Sequence, residues 1–297
     1  MTNDETRMTN KEPFSADPLT AEQSRQNRTT QHQWGFYDSH RRALERLIVP
    51  TRRGGRICVL GAGNCNDLDL QWLTEIYREV HLVDLDAPAL EAAVGRQHLQ
   101  ECPSIHRHAP IDLTGIADTV SRWATKPPRE PEIHAATRQL LESPRAEWGQ
   151  FDLVLSPCVL TQTMNPTRNT LRDHYPPSHP ARVTIRAALR LRHLRTIAAC
   201  LVPGGRGVLA IDLISTENFA DLPRVPQDQL ESLMATFIAN GRHYTGLDPA
   251  SFIAAWKGDP QLSLRCAAPC FTAPWLWHLG LRKSFLVYGV TLNAHDL

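Results

Sequence analysis

The sequence predicts an α/β chain built on a mostly parallel sheet, and three observations predict it. From Arg56 onward, short apolar runs alternate with longer helical patterns, the signature of repeated βαβ units. The first of these runs, "RICVLG" (56–61), breaks into a glycine turn. Near the end two runs, "TAPWLWHLGL" (272–281) and "SFLVYGVTL" (284–292), are joined only by Arg282 and Lys283, a link short enough to force an antiparallel hairpin.

Taken in order, residues 1–28 are polar and lack the apolar periodicity that offsets ordering entropy, so a disordered tail is expected. One domain then covers 29–297, opened by an N-terminal cap at 29–50. There "QWGFY" (33–37) leads into a helix that Asp38 or Ser39 can cap, whose Ala43, Leu44, Leu47 and Ile48 share a face and which Pro50 stops. The further strands are "EVHLVDLD" (79–86), "IHRHAPID" (105–112), "FDLVLSP" (151–157) and "GRGVLAIDLIS" (205–215). Inserted loops are expected at about 121–149, 163–182 and 216–270. The first reads as a Pro-broken linker with a helix on the sheet edge. The second, stiffened by Pro176, Pro177 and Pro180, reads as a lid. In "ARVTIRAALRLRHLR", Arg182, Arg186 and Arg190 share a helical face, read as solvated, with Val183, Ala187, Leu191, Leu194 and Ala198 packing on the sheet. An anion docked on the arginines is the alternative.

The chain has 297 residues, is 42% hydrophobic and carries +1 net charge, which excludes a globally basic nucleic-acid binder. Its seven cysteines are scattered and odd in number, against a disulfide framework and for a reducing compartment. The N-terminus has no apolar signal region, and no apolar run approaches the roughly 20 residues that span a bilayer, so a soluble cytoplasmic protein without a membrane partner is expected. "IHRH" (105–108) supplies too few ligands for zinc, and no metal is expected.

The glycine turn points to a ligand. Gly61 and Gly63 let backbone approach it, and the helix that follows adds partial positive charge. The third glycine of a dinucleotide fingerprint would fall at Asn66, so NAD is not expected. Asp84 stands roughly 20 residues beyond Gly61, where a carboxylate accepts both ribose hydroxyls. Asp112 ends the third strand, where it can accept from an exocyclic amine such as that of adenine. Asp67 and Asp69 read as capping and first-turn acids of the next helix. A carboxylate at a strand end adds little to a core, so Asp84→Ala is expected to leave the fold intact.

At these residues the chain resembles the Rossmann-like, class I S-adenosylmethionine-dependent methyltransferases. The resemblance runs through "VLGAGNCNDLDL", "VHLVDLD", "IDLTG", "FDLVLSPCVLTQ" and "LVPGGRGVLAIDLIS" and spans roughly residues 30 to 292. It implies a three-layer sandwich around a seven-stranded sheet of order 3-2-1-4-5-7-6, S-adenosyl-L-methionine as cofactor, and methyl transfer to N or O of an acceptor expected to be a small molecule rather than nucleic acid. Carried over, Gly61, Ala62 and Gly63 would hold the methionine moiety, Asp84 and Leu85 the ribose, Asp112 and Leu113 the adenine, and Ser156 would face the substrate. Leu60 stands where an acid would precede Gly61. The acceptor must also lose a proton, for which His174, Tyr175 and Tyr37 are candidates, with His40, His243 and Tyr244 behind them. Two other readings compete: a non-catalytic binder acting as sensor or partner subunit, and a nucleic-acid enzyme whose Cys158 adds to a base. Cys158 reads otherwise as a small buried residue.

Overall fold

The computed structural model describes residues 18–50, 54–142, 148–280 and 283–296. Five strands come first in the sheet: β1 (Gly55–Leu60), β2 (Tyr77–Val83), β3 (Ile105–His108), β4 (Phe151–Pro157) and β5 (Leu201–Ser215). They pair in parallel, β3 on β2, β2 on β1, β1 on β4 and β4 on β5. β6 (Cys270–Phe271), β7 (Trp275–Leu279) and β8 (Lys283–Asn293) complete the sheet, with β8 antiparallel to β5 and both β6 and β7 on its far side. The order β3-β2-β1-β4-β5-β8-β6, with β7 beside β8, is the predicted 3-2-1-4-5-7-6 once the two-residue β6 is set aside as an addition. Part of the hairpin link, residues 281–282, lies outside the described residues.

The helices are α1 (Pro18–Thr30), α2 (Asp38–Ile48), α3 (Leu70–Ile76), α4 (Ala87–Arg96), α5 (Ala117–Thr125), α6 (Glu130–Leu141), α7 (Val159–Arg172), α8 (Pro180–Ala199), α9 (Leu230–Ala239), α10 (Pro249–Gly258) and α11 (Pro260–Arg265). Helices cover both faces of the parallel strands, so their side chains are apolar on both sides: Ile57, Cys58, Val59 and Leu60 are all fully buried. One core lies between the sheet and α5 to α8, around Ile133, Leu160, Ile185 and Leu194. The other lies beneath α2 to α4, around Leu44, Leu73 and Leu90, and includes Trp277 of β7. Each fully buried Leu contributes about 2 kcal/mol of transfer free energy.

Four expectations are corrected. The tail expected at 1–28 is helical from Pro18, while residues 1–17 lie outside the described residues. Apolar periodicity misses α1 because polar bonds attach it: Asn27 Nδ2 donates to Asp86 (2.9 Å), and Asn64 and Asn66 donate to the Asn27 and Thr30 carbonyls (2.6 and 2.7 Å). The lid expected at 163–182 is mostly helix, since α7 runs to Arg172 and α8 starts at Pro180. β3 stops at His108, before Pro110, which has no N–H to continue a ladder. On α8 the arginine face turns inward. Arg182 is buried and donates to the Tyr175 carbonyl (2.7 Å), Arg190 donates to that of Gly246 (2.7 Å), and Val183 is exposed.

Candidate functional site

The site forms at the C-terminal ends of β1, β2 and β4, where the glycine turn leaves the sheet. Gly61 and Gly63 take φ of +72° and +50°, and Cys65 follows in the same left-handed region at +48°. The turn's first amides are already bonded within the protein. Gly61 and Ala62 N–H donate to the Val83 carbonyl (2.7 and 3.2 Å), and Gly63 N–H donates to Asp84 Oδ2 (2.8 Å). The helix expected directly after the turn, α3, begins only at Leu70 and spans seven residues. Asp69 caps it by accepting from Trp72 N–H (2.9 Å), so its dipole is spent on its own cap. Gly61 has no side chain for a packing reason, because a Cβ there would come 2.2 Å from Val159 Cγ2 of α7.

Over this turn lies α1. Its Gln23 Nε2 reaches 3.5 Å from Gln162 Oε1 of α7, and the two glutamines and Gly61 line both halves of a divided cleft. The first half, about 620 Å³ counting its open mouth, is lined by Asp84, Leu85, Asp112, Leu113 and Val120. The second, about 660 Å³ on the same measure, is lined by Ala62, Gly63, Asn66, Asp67, Tyr37 and Trp277.

Asp84 is buried, and both its oxygens are engaged, Oδ2 by Gly63 N–H and Oδ1 by Asp86 N–H (2.8 Å each). Burial raises its pKa, and those backbone bonds work the other way. The expectation that Asp84 adds little to the fold is therefore corrected: it ties the glycine turn to the end of β2. Asp112 likewise accepts from Thr114 N–H (2.7 Å) and hydroxyl (2.6 Å) and from Ala117 N–H (2.9 Å), which secures the start of α5.

Three of the predicted residues do not line the cleft. Ser156 is fully buried with its Oγ 2.8 Å from His193 Nε2, on the side of the sheet that α8 covers. His174 is exposed, and the Tyr175 hydroxyl donates to the Pro128 carbonyl (2.9 Å). The reserve candidates are engaged as well. His243 lies 3.5 Å from Asp248, Tyr244 donates to Ser215 (2.9 Å), and His40 accepts from Trp275 Nε1 (3.1 Å), its pKa pushed down to about 3 by burial. Of the proposed bases only Tyr37 lines the cleft, and burial, then the nearby Asp67 charge, push its phenol well up, so it is a donor at neutral pH. Cys158 is buried at the head of α7, its thiol pushed well up by burial and by Asp212 and Asp67, which does not suit a nucleophile.

The residue that sequence reasoning misplaced is Asp67. Rather than capping α3 it lines the second half of the cleft, and burial pushes its pKa up to about 7. Beside it the Asn66 Oδ1 and Trp277 Nε1 atoms are buried with no hydrogen-bond partner among the described residues. Trp277 is braced by His40 and Phe285 (ring centroids 4.6 and 5.0 Å) and by the edge of Tyr37 (5.4 Å). The clue in the sequence was spacing: Asp69 sits at the helix start, two residues too late for Asp67 to cap it as well.

No family model matches the chain, and no curated protein matches it. Similar solved structures include the N-methyltransferase NodS from Bradyrhizobium japonicum WM9, at 12% identity over 88% of this chain and 98% of that one, with a TM-score of 0.44. Others are an O-methyltransferase family protein from Burkholderia thailandensis (12% identity, 94% and 59% covered, TM-score 0.41) and an rRNA methylase from Streptococcus thermophilus (11%, 89% and 94%, 0.35). Likeness at this level decides nothing about the ligand of this chain.

Proposed function

We propose that the divided cleft binds S-adenosyl-L-methionine and that the protein transfers its methyl group to N or O of a small-molecule acceptor. The observation that carries this is the meeting at Gly61 of two half-clefts, one with Asp84 just past β2 and Asp112 in the segment after β3, the other with Asp67, Tyr37 and Trp277. The nucleoside would occupy the first half, held at the ribose by Asp84 and flanked at the base by Asp112 and Leu113. The methionine end would occupy the second, where Asp67 meets the ammonium group and so supplies the acid that Leu60 does not. The unpartnered Asn66 Oδ1 and Trp277 Nε1 are left for the same ligand.

When bound, the cofactor supplies the electrophilic methyl carbon. The chain's own residues align it and exclude water, which is most of what an in-line methyl transfer requires. α1 closes over the turn, and Tyr37, protonated, donates a hydrogen bond rather than taking a proton. That last point favours one second reading, a non-catalytic binder, since of the bases proposed from the sequence only Tyr37 lines the cleft among the described residues.

Calorimetric titration with S-adenosylmethionine and S-adenosylhomocysteine, with NAD as control, tests the ligand. The sulfur nucleosides should bind and NAD should not. Asp67→Asn should weaken S-adenosylmethionine about tenfold or more, the scale of a charge-assisted hydrogen bond. Binding an ammonium requires the Asp67 carboxylate, so wild-type affinity should fall as pH drops below about 7, by up to tenfold per pH unit. Binding of NAD alone, or of nothing, rejects the proposal. Release of S-adenosylhomocysteine on adding a panel of amines and phenols would separate the enzyme from the binder.

A further inference from the structure

A second group of chemistry-bearing side chains lies on the sheet edge, outside the lining of the cleft. Glu79 and His81 alternate onto one face of β2, and the parallel register sets His106 beside His81 and His108 beside Val83. One ligand atom from each of Glu79, His81 and His106 lies within 4.8 Å of the other two. Between His81 Nε2 and Glu79 Oε2 the separation is 3.3 Å, close to the edge of about 3.4 Å expected of a tetrahedron with zinc bonds near 2.1 Å. His108 Nε2 sits 2.9 Å from the other nitrogen of His81, and His81 stacks on the rings of both His106 and His108. A hydrogen bond to the non-ligating nitrogen is how metal-binding imidazoles are normally fixed in tautomer and orientation.

The cluster already attracts a cation. Arg56 Nε lies 2.6 Å from Glu79 Oε2, and its Nη2 lies 3.4 Å from His81 Nε2, so the guanidinium rests against the two atoms that would ligate. We propose that Glu79, His81 and His106 form a binding site for a divalent d-block ion of the zinc class, with His108 orienting His81 and Arg56 as the competing cation. Two imidazoles and a carboxylate suit zinc, cobalt, nickel or copper rather than calcium or magnesium. Reading "IHRH" alone counts too few ligands; strand pairing supplies the other two. A bound ion would clip β3, a four-residue edge strand, to β2, and three protein ligands would leave a position for water.

The test is titration of the full chain with Co²⁺, followed by its visible absorption, alongside calorimetry with Zn²⁺. Wild type should bind one ion with a nitrogen and oxygen spectrum. His106→Ala and His81→Ala should each weaken binding tenfold or more, and Arg56→Gln should tighten it several-fold by removing the competitor. His106 is half-exposed, so its variant should fold even if that of the buried His81 does not. Three outcomes overturn the proposal: no cobalt bound by wild type, an affinity unmoved by His106→Ala, or a thiolate charge-transfer band showing that the cysteines bind the ion instead.

Discussion

Replacing Asp84 by Ala separates a ligand-only role from the dual role seen here. In the folded protein its carboxylate is the partner of two backbone amides, Gly63 N–H and Asp86 N–H, each at 2.8 Å, and the residue is only 4% exposed. Removing it strands both donors, at about 1–3 kcal/mol apiece. Relief from burying a carboxylate whose pKa burial has raised works the other way and trims that sum. A net loss of about 2–4 kcal/mol follows, a large share of the 5–15 kcal/mol that usually holds a domain together. Urea unfolding followed by far-UV circular dichroism measures it. With a slope of about 3 kcal/mol/M the midpoint should fall by roughly 1 M. Asp84→Asn keeps one acceptor and should lose about half as much. An Ala variant with an unchanged midpoint would refute the cradle and return Asp84 to a residue that serves the ligand alone.

Two further outcomes follow from the same geometry. Gly61→Ala puts a Cβ 2.2 Å from Val159 Cγ2 at φ +72°, and should cost about 3–5 kcal/mol, strain plus overpacking, whereas Gly63→Ala meets nothing closer than Asn27 Oδ1 at 3.4 Å and should cost only the left-handed strain of about 1–2 kcal/mol; equal losses on urea unfolding would count against this turn. Asp212 is buried, accepts the Thr161 hydroxyl, and is pushed up to about 7 mainly by burial. Its folded pKa thus exceeds its unfolded value near 3.8, so stability present at pH 4 is lost as pH rises through about 7. Asp212→Asn should match wild type near pH 4 and exceed it at pH 8 by at most about 4 kcal/mol, read as a rise in Tm; a gap that does not grow with pH would refute the shift.

Much of the fold was legible because it rests on local signals. Alternating apolar runs marked every long strand, and the short link after Leu279 forced β7 and β8 antiparallel. Asp84, one residue past β2, and Asp112, read as the end of the third strand but four residues past β3, both line the cleft. Less visible was where side chains point. Ser156 sits at the tip of β4, yet turns to His193 rather than to the cleft, since successive strand residues alternate faces and its parity is set by what α8 covers. α1 could not be read from apolar periodicity because asparagines attach it to the turn.

The sequence by itself determined the order of elements, the sheet class and the approximate position of a ligand crevice, because hydrophobic periodicity, turn residues and strand-end acids act over a few residues of chain. Only the tertiary structure decided which groups the crevice contains. It spent the glycine-turn amides on Val83 and Asp84, released Asp67 from helix capping into the cleft, and buried Cys158. It also set two histidines of β3 against Glu79 and His81 of β2. Each of those outcomes depends on pairing and burial between segments far apart in the chain, where hydrogen-bond satisfaction and desolvation fix a side chain's neighbours and no local pattern records them.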